Sequence, residues 1–588
     1  MNSSPRVQFD RLGSGQRVRV LLLNPPSRSI EYPSPSIAAV CAALREEGVC
    51  YGVVDLNAQL KDHFLTKACL EGLLEDGLPS LMRLSAAFPE RIRAVYHLRH
   101  SLSAVQRFPG FAVLEHYKSL LQSRQYEAAL CAPYAFEVGG AFFNTLRDIH
   151  SYLTLAGAMA AQGFWDELRG PLRDFFDSAL DIVCGGAPEI VGISCMSIQR
   201  PFVYWLATAI KRRANCRVVV GGPDATRYAR SYVESCEAVD DVFVGPAARE
   251  FARFSGGSRI RDADGQVHRS SKDEARALRA CPERPVEPLR LVFDEFELER
   301  YLFPVLPLAT SSGCSWRRCD FCDHWRHSPT YVKHEPEHVA AEALHLRERY
   351  GARLFHFLDD GLDAAHGCAV LARIRRAVPD ARILTYARPD ETMNRHVLES
   401  WYDGGVRVIE WGLETTSKRL LDKMKKGITP ACVRRVVADS ASIGIVNKLM
   451  MFHGYPSETL EELQASLLFL EQLYLGGQIR PFFPVRCMLE LRKGTQLYRS
   501  ARRGRLFPKV WWPHGSFPDR AFYAVDQRLY QRKVALLDSF LARARAAMRR
   551  GCVLTTDDEN LFLDLILCDL TERGSSPNIE THCCPPEQ

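Results

Sequence analysis

The stretch Val305-Leu-Pro-Leu-Ala-Thr310-Ser-Ser-Gly-Cys314-Ser-Trp-Arg-Arg-Cys319-Asp-Phe-Cys322 decides how this chain is read. An apolar run that suits a buried strand breaks at a Ser-Ser-Gly turn, and three thiols follow on one short loop. Three thiolates can bind a metal centre but leave a tetrahedral site one ligand short. Two centres fit the loop taken alone. One is a 4Fe–4S cluster with a fourth iron left open for a substrate or cofactor. The other is a structural zinc with His324 or His327 as fourth ligand.

Working downstream, apolar strand candidates alternate with helical patterns. They are Val305–Thr310, Leu354–Leu358, Ile383–Ala387, Val406–Trp411, Val446–Phe452 and Val485–Leu491. Six such units over 296–500 predict an open (β/α)6 barrel, with its chemistry at the C-terminal ends of the strands. Residues 501–588 read as mostly helical, notably Tyr530–Arg550 and Glu559–Asp569, with a tail over 575–588 of disordered composition.

Working upstream, residues 252–295 are polar and carry Pro282, Pro285 and Pro288, the composition of a linker. Before it, 17–251 reads as a Rossmann-like domain, preceded by a polar tail over 1–16. Its strands are Arg17–Leu23, Tyr51–Leu56, Glu189–Ser194, Arg217–Gly222 and Asp241–Gly245, which predict a five-stranded sheet. Between the second and third lies a helical insertion over about 58–185.

The 588 residues suit about three or four structural units. Charge is nearly balanced, 76 Lys+Arg against 70 Asp+Glu, so electrostatics does not call for a nucleic acid. No apolar run is long enough for a transmembrane helix. Nineteen cysteines without a leading signal core suit a reducing cytoplasm, where clustered thiols suggest metal or catalysis. Only Cys314/Cys319/Cys322 and Cys583-Cys584 are clustered, and the second pair reads as a solvent-exposed tail. Trp511-Trp512-Pro-His514 reads as an aromatic pair in a core, and Arg502-Arg503-Gly-Arg505 as a solvated surface.

The barrel region resembles the radical S-adenosylmethionine (SAM) enzymes. Their cluster loop usually reads C-x3-C-x2-C with an aromatic before the last cysteine. Phe321 holds that position here, and the first gap has four residues instead of three. Further matches follow in order. Leu358-Asp359-Asp360-Gly resembles the acidic motif that receives the SAM amino group, and Arg388 the partner of its carboxylate. Glu410-Trp-Gly412-Leu-Glu414-Thr with Lys426-Gly427 resembles the segment whose glutamate, here Glu414, lies near the ribose. Gly454-Tyr-Pro456-Ser-Glu458 is similar to the family's Gly-x-Pro-x-Glu turn, where Glu458 can cap the next helix, and Gly494-Thr495 is another match.

Segment 17–247 resembles the cobalamin-binding domain that often precedes such barrels. Asn24-Pro25 resembles its opening, Ser194 and Met196 its Ser-x-Leu position, and Gly221-Gly222 its later glycine pair. Two departures stand out. The Asp-x-His-x-x-Gly motif that ligates cobalt is absent, and Gly245-Pro-Ala-Ala-Arg-Glu250 replaces the usual Gly-Glu-Gly-Glu.

The resemblance thus implies an α/β chain: a Rossmann-like cobalamin-binding-type domain with a helical insertion, a partial (β/α)6 radical SAM barrel and a mostly helical C-terminal region. It implies a 4Fe–4S cluster on Cys314, Cys319 and Cys322, SAM and cobalamin. It implies an electron donor such as flavodoxin or ferredoxin, and a small-molecule or peptide substrate. The implied chemistry is SAM homolysis to a 5′-deoxyadenosyl radical, hydrogen abstraction, and methylation of an unactivated carbon. The alternatives are a non-methylating cyclisation or rearrangement on the same architecture, and a zinc-stabilised binding protein without catalysis.

Overall fold

The computed structural model describes residues 18–573 apart from 27–31, 85–91, 132–134, 160–162, 164, 197–198, 258–267, 270–276, 281–289, 325–327, 329, 481–487, 505–509, 512–519, 524–526 and 548–558. His327, Trp512, His514, Cys583 and Cys584 therefore lie outside the described residues. Two compact units emerge, one of residues up to 125 with 141–302, the other of 126–140 with 303 onward. Among the described residues no helix is long and apolar enough to cross a membrane.

The first unit is built on a sheet of β1 (Val20–Asn24), β2 (Tyr51–Asp55), β3 (Ile190–Ser194), β4 (Arg217–Gly221), β5 (Asp241–Val244), β6 (His268–Arg269) and β7 (Ala277–Ala280). Its order is β2-β1-β3-β4-β5-β7-β6, parallel except for β6. The predicted five strands are all present. The expected linker supplies two more, because β7 pairs parallel with β5 at its edge. Strands β1, β3 and β4 have apolar, buried central residues on both faces, as a helix-covered parallel sheet requires. The helix Pro35–Glu46 starts where Ser34 Oγ accepts from Ile37 N and proline occupies the first turn. The insertion between β2 and β3 is helical, from Leu56–Phe64 through Ala135–Met159 to Pro171–Gly185.

The second unit holds β8 (Val305–Leu308), a small ladder of β9 (Ser311–Ser312) and β10 (Val332–Lys333), then β11 (Leu354–Phe357), β12 (Arg382–Ala387), β13 (Val406–Glu414) and β14 (Val446–Met451). Among the described residues five of these strands form one parallel sheet in the order β14-β13-β12-β11-β8. The predicted sixth strand is represented by a single parallel bridge between His453 and Met488, its earlier residues lying outside the described set. Leu491–Arg492, read as its end, is β15 of a separate antiparallel sheet with β16 (Val510–Trp511) and β17 (Arg520–Tyr523). This sheet interrupts a region expected to be helical. The helices Gln527–Ala547 and Glu559–Glu572 match expectation.

The last helix seals the barrel at the N-terminal ends of its strands. Asp569 pairs with Arg353, Glu572 with Arg382 and Arg407, and Asp564 with Lys448 at 2.9 Å. Function is thereby left to the opposite, C-terminal ends.

Candidate active site

The cysteine loop leaves β8 through β9, and its three thiols form no disulfide and are partly exposed. Among the described residues no three His, Cys, Asp or Glu side chains converge tightly enough to hold one metal ion. Single-zinc coordination needs that convergence, at about 2.3 Å per Zn–S bond. A cluster gives each thiolate its own iron, so its ligands need not meet at one point. His324, the alternative zinc ligand, instead places Nδ1 2.6 Å from Asp360 Oδ1. Burial raises the Cys319 thiol, while nearby Lys426 and Arg388 work against that. Burial likewise pushes Cys322 up to about 12. Two cations beside the trio suit a site that must hold thiolates.

The loop is nailed down at Asp320. Its N–H donates to Met424 O at 3.1 Å, and its carbonyl accepts from Leu497 N at 2.9 Å. Its Oδ2 accepts from the Tyr455 hydroxyl at 2.7 Å. Phe321 packs edge-on against Phe452, ring centroids 5.0 Å apart. The turn that supplies Tyr455 is itself held by Glu458, which accepts from Gly454 N at 2.8 Å and from Lys533 Nζ at 2.6 Å. Glu458 thus corrects its expected role as a cap. Thr459 and Glu462 form the capping box of the helix Leu460–Leu475.

Two of the expected SAM contacts are altered by the geometry. Asp359 is buried and accepts from Thr310 N at 3.2 Å, Thr310 Oγ1 at 2.8 Å and Ser311 Oγ. Its carboxylate holds the β8–β9 turn, while Asp360 beside it pairs with His324. Glu414 stands at the end of β13 with φ +69°, a left-handed conformation at a strand bulge. Its Oε1 accepts from Lys426 Nζ at 2.7 Å, with both side chains about nine-tenths buried (8% and 11% exposed). Burial opposes the Lys426 charge, but Glu414 and the neighbouring thiol outweigh it and hold the ammonium above its ordinary value. Gly412 leaves the room for this, since a Cβ there would lie 2.7 Å from Lys426 Nζ.

Arg388 follows β12. Its Nη2 donates to Lys426 O at 2.9 Å, and its guanidinium stacks 3.8 Å from the centre of the Trp316 ring. Its Nε is buried without a hydrogen-bond acceptor. Buried N–H groups are nearly always paired, so an orphan of this kind fits an anionic group supplied from outside the protein. The residues therefore fit the carboxylate of SAM.

The first unit presents its own crevice. A β2-β1-β3-β4-β5 order places a switch point between β1 and β3, where open α/β sheets bind ligands at the carboxyl ends. Asn24, Pro25, Ser194 and Met196 stand there. Asn24 turns its amide to Asp55 Oδ1 at 2.9 Å, and Pro25 O accepts from Gln199 Nε2 at 2.6 Å. These groups brace the sheet at the crevice. Gln199 also accepts from Met196 N at 2.6 Å, while the Met196 side chain is 51% exposed. Gly222 has φ +96°, and a Cβ there would come 3.0 Å from Ser194 Oγ and Cys195 N. Gly221 lies in register with Ser194. An exposed apolar side chain, a hydroxyl and a bare glycine turn fit a large nucleotide-tailed group.

Under this crevice is a network that sequence patterns did not disclose. Arg200 grips Asp224 with two bonds of 2.7 Å, and Tyr232 donates its hydroxyl to Asp224 at 2.7 Å. Arg200 also stacks on Tyr228 at 4.6 Å. The second missed group is Lys426 with Trp316. Each lay inside a quoted motif, but its partner is far off in sequence.

Residues 308–470 match the model of the radical SAM superfamily. Among curated proteins, an uncharacterized methyltransferase of Pyrococcus horikoshii is 27% identical over 341 residues, covering 55% of this chain and 72% of that protein. The cytidylyl-2-hydroxyethylphosphonate methyltransferase of Streptomyces wedmorensis is 26% identical, and the match spans 36% of this chain and 42% of that protein. Among solved structures, the radical SAM methyltransferase TsrM of Kitasatospora setae, with cobalamin and a 4Fe–4S cluster bound, has a TM-score of 0.56 at 17% identity. The match covers 95% of this chain and 100% of that one. OxsB, a cobalamin-dependent radical SAM enzyme with aqua-cobalamin and SAM bound, has a TM-score of 0.52 at 12% identity. It covers 95% of this chain and 76% of that one. The fold of this chain is thus shared with cobalamin-dependent radical SAM enzymes.

Proposed function

We propose that this chain, whose residues 308–470 match the radical SAM superfamily, is a cobalamin-dependent radical SAM methyltransferase acting on an unactivated carbon of a biosynthetic intermediate. One observation carries the reading of the barrel: a buried Arg388 Nε without an acceptor, beside a loop of three cysteines that form no disulfide, at the C-terminal ends of parallel strands. The methylating and cobalamin-using names of the relatives, and the switch-point crevice of the first unit, support the rest.

Cys314, Cys319 and Cys322 would hold the 4Fe–4S cluster, leaving one iron for SAM. When bound, the cluster supplies an electron for SAM cleavage and cobalamin supplies a methyl carrier. The chain's own work is binding and orientation. Arg388 receives the SAM carboxylate as a charge-assisted, directional contact. Asp360 accepts the SAM ammonium. Glu414, neutralised by Lys426, faces the ribose with one oxygen committed to the ion pair. Asp320, Tyr455 and the Phe321–Phe452 contact fix the loop that carries the three cysteines. Gly221, Gly222 and Ser194 form the bare turn over which cobalamin would lie. An electron donor of the flavodoxin or ferredoxin class would serve the cluster.

The test is anaerobic reconstitution with iron, sulfide and hydroxocobalamin, followed by reduction in the presence of SAM and candidate substrates. About four irons per chain, tight cobalamin uptake and formation of both S-adenosylhomocysteine and 5′-deoxyadenosine are expected. Substrate turnover with 5′-deoxyadenosine alone and no methyl gained would refute methylation. A chain that takes up no cobalamin would refute the role of the first unit.

A further inference from the structure

The four-residue gap between Cys314 and Cys319 brings Trp316 against the segment Lys425-Lys426-Gly427. The contact is built from both sides. The Trp316 indole N–H donates to Lys425 O at 2.8 Å. Gly427 has φ +68°, and a Cβ on it would lie 2.2 Å from the Trp316 ring, so only glycine admits the indole. Arg388 covers the ring at 3.8 Å, and Arg318 also lies over it at 4.9 Å. Arg388 Nη2 in turn donates to Lys426 O at 2.9 Å and reaches Gly427 O at 3.4 Å. Three successive carbonyls therefore hold an indole and a guanidinium flat against each other.

A guanidinium stacked on an aromatic plane has its donors fixed in direction. Here Nη2 is spent on backbone carbonyls and an ion pair with Asp390 at 3.6 Å, while Nε is buried with no acceptor. The loop pays for this geometry with Arg317 at φ +52°, a conformation that residues with side chains rarely hold. We propose that Trp316 is a positioning residue for SAM: it holds Arg388 flat so that its remaining donors meet the SAM carboxylate, and it thereby couples carboxylate binding to the cysteine loop. This rests on the reading of Arg388 as the carboxylate partner, and the experiment separates the two.

Equilibrium binding of SAM and of decarboxylated SAM is measured by anaerobic calorimetry on the reconstituted full chain, with iron and sulfide assayed on each variant. Arg388→Met is expected to weaken SAM at least about a hundredfold and to leave decarboxylated SAM nearly unchanged. Trp316→Leu is expected to weaken SAM by roughly tenfold, in line with a partly desolvated cation–π stack, and to spare decarboxylated SAM in the same way. Trp316→Phe keeps the stack and stays within about threefold of the parent. Arg388→Lys keeps the charge, loses the flat stack and leaves the cysteine loop untouched. It should show the selective loss even where Trp316→Leu fails to load a cluster. Equal weakening of both ligands by Trp316→Leu, no weakening at all, or parent-like SAM binding by Arg388→Lys overturns the positioning role. SAM binding by Arg388→Met at the parent level overturns the reading of Arg388 itself.

Discussion

The first unit and the barrel use the same device, parallel strands ending at a common edge, yet they treat buried charge in opposite ways. Below the β1/β3 crevice, Arg200, Asp224 and Tyr232 satisfy one another. In the barrel, Arg388 keeps a buried N–H with no acceptor. A closed network is scaffolding, because every desolvated group already has its partner. An orphaned donor is costly unless something else arrives, and at the C-terminal end of a barrel strand it fits an anionic ligand group. On the function proposed above, the barrel would recognise its ligand with charged side chains, and the first unit with backbone and small residues over a braced floor.

The largest break in this contrast is Cys322→Ala. Loss of one of three cluster ligands should remove the cluster's iron, its visible absorbance and all reductive SAM cleavage. Cobalamin uptake by the first unit should stay at the parent level, because no residue of that crevice is touched. Iron assay and absorbance titration with hydroxocobalamin check both halves. Retained iron would show that the ligand assignment is wrong.

Asp224→Asn attacks the other side. Arg200 and Asp224 are 2% and 0% exposed. Removing one charge strands the other in a dry interior, at a cost of about 3–5 kcal/mol. Urea unfolding should register that loss, with SAM affinity of the surviving folded fraction unchanged. A destabilisation below about 1 kcal/mol would mean that the pair is not sealed from water.

A third test uses pH and bears on the barrel alone. Burial, with Lys533 nearby, lowers His453 from the ordinary histidine value of 6.5 to about 4. Between these values the unfolded chain binds the proton and the folded chain does not. Stability therefore rises with pH across that window and is lost as pH falls from about 6.5 to 4. The contribution reaches about 3 kcal/mol at about 1.4 kcal/mol per pKa unit. His453→Gln should flatten this slope in denaturation curves taken from pH 7 to 4. An unchanged slope would assign it to other groups.

Much of the architecture was legible because parallel strands buried on both faces are written as short, mainly apolar runs, as in β1, β3 and β8. The strands β6 and β7 escaped because their sequence is polar and their sheet position depends on β5. At the site, the cysteines and Arg388 stood out by motif. Motif position says nothing about the partners that Asp359 and Glu414 find inside the protein. Thr310 and Ser311 reach Asp359 across 49 and 48 residues. Lys426 reaches Glu414 across only 12, but only the bulge at Glu414 turns the two together. Local periodicity could not foresee either, nor the pairing of Arg200 with Asp224.

The smallest effect tests how complete the closed network is. The Tyr232 oxygen lies 2.7 Å from Asp224 Oδ2 and 2.8 Å from Cys195 Sγ. One hydroxyl carries one proton, and the carboxylate is the stronger acceptor, so the donation goes to Asp224. Burial holds Cys195 as a neutral thiol, its pKa well above the ordinary value, and a thiol is a weak acceptor. Tyr232→Phe therefore removes one charge-assisted bond and keeps the aromatic body that Arg200 faces at 5.6 Å. The loss should be about 1.5 kcal/mol, the low end for a bond to a charged group, because Arg200 still supplies Asp224 with two donors. Urea unfolding measures it against Asp224→Asn. If the phenylalanine variant is as unstable as the asparagine variant, the tyrosine hydroxyl rather than the ion pair carries the network, and the floor of the crevice is less fully closed than its geometry implies.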